Sequence, residues 1–116
     1  MTETQSLAID IIKLVPDNST CFINAPSIDE NSAVLKLLQV STNNYDWELT
    51  LTPDNKVKLI DIIISENIEQ HFHKLAIKHN DAVLFIAYDG MCGVEVTKQI
   101  NVPDWFAKKY ADTLMF

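Results

Sequence analysis

Residues 4–15 carry apolar side chains at helical spacing, with Leu7, Ala8, Ile11, Ile12, Leu14 and Val15 on one stripe. This is the rhythm of a helix with one buried face. Pro16 ends the pattern, and Asp17-Asn18-Ser19 is turn chemistry. Thr20–Ile23 reads as a short extended segment. Ser27 and Glu30 have the spacing of a capping box, and Ala33, Val34, Leu37 and Leu38 follow at helical intervals. A helix is therefore predicted over 28–40. Lys36 and Gln39 break the alternation that a competing strand over 34–40 would need.

Residues 45–52 alternate strictly. Tyr45, Trp47, Leu49 and Leu51 point one way; Asp46, Glu48, Thr50 and Thr52 point the other. That predicts a half-buried strand. Pro53-Asp54-Asn55 reads as a turn and residues 56–64 as a second strand, apolar on both faces and so central. In that hairpin Leu49 faces Leu59, and Asp61 faces Trp47. Ile68, Phe72, Leu75, Ala76 and His79 predict a helix over 66–79. Residues 82–88 form a near-continuous apolar run, again a central-strand pattern. After a loop at Asp89-Gly90, Val94, Val96 and Ile100 alternate with Glu95, Thr97 and Gln99, a strand with one wet face. Pro103 suits the first turn of a last helix, with Val102, Phe106 and Tyr110 inward. Two hairpins imply antiparallel pairing. The expected fold is a single α+β domain over 1–116, with an antiparallel sheet of about four strands packed against three to four helices.

Composition narrows the function. The chain has 116 residues and only two glycines, Gly90 and Gly93. A P-loop or a GxGxxG dinucleotide site needs more, because backbone N–H groups must approach the phosphate closely. Nine basic residues, all lysine, stand against 16 acidic ones, for a net charge of −7. Nucleic acid is a poor partner for an acidic chain without arginine, since phosphate neutralisation supplies most of that affinity. Anionic membranes are disfavoured for the same reason. A charged partner is expected to be basic. The longest apolar run falls far short of the roughly 20 residues that span a bilayer, and the N-terminal residues lack a basic, apolar leader pattern. A cytoplasmic location is expected. So are two free thiols, Cys21 and Cys92.

No residue set carries a catalytic signature. His71 and His73 would stand about 200° apart on the predicted helix, unable to share an ion. Two ligands are also too few for a structural zinc. No metal or cofactor is expected. Cys92, a histidine and Asp89 would be the cast of a thiol hydrolase, but nothing in their spacing specifies that geometry. Asp61, opposite Trp47, reads as a buried carboxylate seeking a hydrogen bond. The clearest surface signal is aromatic and acidic. Tyr45, Asp46, Trp47 and Glu48 combine interface-type rings with negative charge, and Tyr88 and Asp89 repeat the theme at the second hairpin. These six are the expected partner-binding residues, although strand alternation would place Tyr45 and Trp47 with the core.

In general character (small, acidic, α+β, without a catalytic signature) the chain resembles bacterial immunity and antitoxin proteins. Those bind and block a basic toxin domain, often a nuclease. The resemblance is one of type and carries over no residue. It implies a binding protein that recognises a basic protein. A small enzyme using Cys92 or a carboxylate, and a homo-oligomeric structural or adaptor subunit, are the alternatives.

Overall fold

A computed structural model describes residues 1–116. The first helix, α1 (Glu3–Leu14), forms where its stripe predicts. Thr2 and Gln5 close a capping box at its start, satisfying two otherwise orphaned N–H groups. Leu7, Ala8, Ile11 and Ile12 are buried. The chain turns at Pro16 into β1 (Ser19–Asn24). The region predicted as a helix over 28–40 is mostly loop. It holds one 3-10 turn, Ala33–Lys36, capped by Ser32, and then the two-residue strand β2 (Gln39–Val40). Ser27 caps no helix; its hydroxyl lies 3.0 Å from His71 Nδ1.

β3 (Trp47–Leu51) follows its predicted alternation. The predicted hairpin after it does not form. Thr52 accepts a hydrogen bond from the Asn55 N–H, Pro53 enters the first turn, and residues 53–66 become the helix α2 (Pro53–Glu66). Leu59 and Ile63, four apart, are fully buried. Asp61 is consequently exposed on the outer side of α2, not buried opposite Trp47. The predicted helix over 66–79 is replaced by a left-handed Asn67, a 3-10 turn Ile68–His71, and the strand β4 (Lys74–His79). β5 (Ala82–Tyr88), β6 (Gly93–Val96), α3 (Asp104–Lys109) and β7 (Leu114–Met115) complete the chain.

The fold is mixed α and β, with seven strands rather than four, in the order β2-β3-β1-β4-β5-β6-β7. Every pairing is antiparallel except β6 with β7, so the sheet is mixed. The register builds one continuous apolar face. Leu49, Cys21, Ile77, Phe85 and Val96 form one row across it, and Trp47, Ile23, Leu75, Ala87, Val94 and Leu114 the next. The helices pack on this face. Phe106 of α3 meets Phe85 edge-on at 6.1 Å between centroids and Tyr110 at 5.2 Å. Tyr110 and Lys109 reach Asp10 of α1, and the Tyr110 hydroxyl also lies 2.8 Å from Ser6 Oγ.

The apolar run in β5 has a local cause. The register slips by one residue between Ile77 and Lys78, a β-bulge that lets Leu84 and Phe85 both enter the core. The strand is central but not covered on both sides. Ile86 and Tyr88 point to the opposite face, on which no helix packs. No helix of the molecule is long and apolar enough to cross a membrane.

Candidate binding surface at one end of the sheet

Antiparallel pairing brings the C-terminal ends of β1 and β5 beside the N-terminal ends of β3, β4 and β6. Asn24, Trp47, Lys74, Tyr88 and Gly93 therefore share one end of the sheet. The six predicted partner-binding residues all gather there, but they divide between its two faces.

Tyr45 and Tyr88 stand on the open face with Lys74 between them. The Lys74 ammonium is 5.8 Å from the Tyr45 ring centre and 6.0 Å from that of Tyr88. Tyr45 also tilts against Phe22 at 5.8 Å, and Lys78 covers Phe22 from the other side at 5.4 Å. These contacts explain how Phe22 is buried on a face without a helix. Each lysine–ring contact at such a site contributes about 0.5–1 kcal/mol. Glu48 lies on the same face, in the row of Phe22, Ala76, Ile86 and Glu95. Its carboxylate is committed to the neighbouring loop, accepting from the Thr42 N–H at 2.7 Å and hydroxyl at 2.9 Å.

Trp47 turns the other way. It pairs with Ile23 and Val40 and packs, half-buried, against the edge of the core. Strand alternation separates it from the open face that Tyr45 reaches through the preceding loop. Asp46 is exposed between the two. It is held in place by its own N–H, which donates to Asn24 Oδ1 at 2.9 Å, and by the Ala25 N–H, which donates to its carboxylate at 3.2 Å.

Asp89 is exposed in the β5–β6 turn. Asp89, Gly90 and Met91 all have positive φ. The Asp89 N–H donates to His73 O and the Gly90 N–H to Phe72 O, which clamps the turn against the lead-in to β4. Met91 is buried, whereas Cys92 is exposed and has no hydrogen bond to any histidine. His71 closes the 3-10 turn against Ser27, and His73 is exposed at the entry to β4. No cluster of three or more His, Cys, Asp or Glu side chains is arranged to hold a metal ion.

Two parts of this surface were not among the expected residues. Lys74 sits at its centre, and Lys78 lies on the same face toward the other end of β4, where a period-two reading of residues 74–79 would have placed both on one face. The loop residues Ile28 and Glu30, with Leu35 of the 3-10 turn, meet Trp47 and Asp46 along a groove. No local pattern points to that meeting, because it is made by tertiary packing. No family model matches the sequence, and no curated protein or solved structure is significantly similar to it.

Proposed function

We propose that the chain is a non-enzymatic binding protein that recognises a basic protein through this end of the sheet, in the manner of an immunity or antitoxin inhibitor. The observation that carries the reading is the convergence of Tyr45 and Tyr88 on either side of Lys74, with Asp46 and Asp89 exposed beside them. Two half-buried tyrosines, Tyr88 in β5 and Tyr45 in the loop leading into β3, are suitable anchors, having large contact area and little side-chain freedom to lose. The net charge of −7 supplies steering toward a cation. Asp46 is open to solvent, its backbone tied to Asn24 and its carboxylate oriented by the Ala25 N–H, so it meets a partner with little reorganisation.

The test begins with capture of partners by the immobilised chain at low salt. Association rates of the purified pair are then measured over a range of ionic strength. Asp46→Lys is expected to slow association by roughly tenfold at low salt and to flatten its salt dependence. Tyr88→Ala is expected to speed dissociation. Rates indifferent to both substitutions would remove this surface from the reading. A captured partner that is acidic would end the basic-partner proposal.

A further inference from the structure

The helix-side half of the same rim holds a groove of about 500 Å³ between the first long loop and β3. Pro26, Ile28, Leu35 and the half-buried Trp47 supply apolar walls, and Glu30 and Asp46 supply two carboxylates. Neither carboxylate forms an ion pair. The three ion pairs of the molecule, Lys56–Asp17, Lys58–Asp54 and Lys109–Asp10, all lie elsewhere. Glu30 makes no side-chain hydrogen bond, and Asp46 uses only Oδ2, toward the Ala25 N–H. The groove thus combines an apolar lining, an indole and two carboxylates without an ion-pair partner.

We propose that this groove receives an arginine side chain of the partner. The inference rests on the basic-partner reading above and specifies the residue that seats in it. Arginine fits each feature. Its methylene stem packs on apolar walls. Its planar guanidinium is weakly hydrated and stacks on an aromatic face. Its N–H fork matches a carboxylate. Lysine offers the charge without the fork, and its ammonium loses more hydration on entry. A neutral or anionic side chain would leave Glu30 and Asp46 uncompensated, so the groove also selects against the wrong partner.

The experiment uses the whole ¹⁵N-labelled chain at low salt and three capped tripeptides: acetyl-Ala-Arg-Ala-amide and its lysine and citrulline counterparts. Citrulline keeps the shape of arginine and removes its charge. The expected result is a saturable shift of the Trp47 indole N–H and the Ala25 amide with the arginine peptide. Binding should be at least fivefold weaker with lysine and should not saturate with citrulline. The indole of Trp105, on α3, should not move and serves as an internal reference. Glu30→Gln combined with Asp46→Asn is expected to raise the half-saturation concentration at least tenfold. Asparagine keeps the oxygen that accepts from Ala25, so the loop is retained. No saturable shift, an equal response to citrulline, or an unchanged double variant would overturn the assignment.

The purified partner separates this claim from the broader one. A basic partner that is weakened by Tyr88→Ala, but indifferent to Glu30→Gln and to excess arginine peptide, would overturn the groove assignment and leave the basic-partner reading intact. An arginine peptide that saturates the groove of a chain whose captured partner is acidic would do the reverse.

Discussion

A side chain on Gly90 would have nowhere to go. Its Cβ would stand 2.8 Å from Gln70 O and 3.0 Å from Gln70 Cα, and the residue holds φ at +67°. The obstructing atoms are backbone and cannot swing aside. Gly90→Ala is expected to lower stability by about 2–3 kcal/mol, read as a lower urea midpoint. The two cysteines differ as sharply. Burial pushes the Cys21 thiol up to about 12, whereas Cys92 is exposed. In a native chain one thiol is expected to react with a maleimide, and both after unfolding, as counted by intact mass. Cys21 also gives stability a pH dependence. Above pH ~9 the unfolded chain loses this proton while the folded chain keeps it, so the unfolded state binds fewer protons. Stability from this group is fully present below that pH and falls toward pH 12. Tyr110 acts with the same sign, its hydroxyl raised by burial and by its hydrogen bond to Asp10. Urea titrations should show a flat plateau that ends near pH 9, with a shallower alkaline decline in Cys21→Ala. At this scale the sequence picked out six residues that the fold gathers at one end of the sheet, and was silent about which face they take. Tyr45 and Trp47 share a parity, yet Tyr45 lies before β3 begins, so the strand rule no longer governs it.

Two elements exchanged identities between pattern and structure, for opposite reasons. In α2 the branched residues Val57, Ile60, Ile62, Ile63 and Ile64 suit a strand, and their density hid the helical pair Leu59 and Ile63. The start signals decide the matter: Thr52 caps the first turn, and Pro53 occupies a position whose N–H would be unbonded anyway. A turn reading of Pro53-Asp54-Asn55 uses the same residues, which is why local inspection admits both. Thr52→Ala is expected to cost about 1 kcal/mol, checked by thermal or urea unfolding. β4 is the converse. Lysine, leucine and alanine favour a helix locally, and the spacing of Ile68, Phe72 and Ala76 agrees. The strand forms because β1 and β5 pair with it on both sides, a non-local constraint invisible in any short window. Where punctuation was strong, as at Pro16, Asp89-Gly90 and Pro103, the neighbouring elements were legible, although the strand read through Ile100 ends at Val96. The acidic and aromatic rim was legible too, as residues. Its central lysine was not, because it belonged to an element read as a helix.

For the whole molecule, the one-sided sheet separates two tasks. The helix side carries the core, and the opposite face leaves Lys74 and Lys78 among aromatic rings within an otherwise acidic protein. Lys74 is thus a positive charge at the centre of a surface proposed to meet a cation. Lys74→Met is expected to raise the association rate with a basic partner severalfold, most strongly at low ionic strength. A decrease would mean that the partner presents an acidic group there. The tie between the first and last helices bears on a different property. Ser6 and Asp10 hold Tyr110, and Asp10 also holds Lys109. Tyr110 is itself a buried neighbour of Phe106. Segments joined in this way exchange their amide hydrogens together, as one cooperative unit. Anything that grips or trims the last residues of the chain would therefore be felt first as fraying at its beginning. Deuterium uptake over residues 3–14 would report on it before any change reached the central strands.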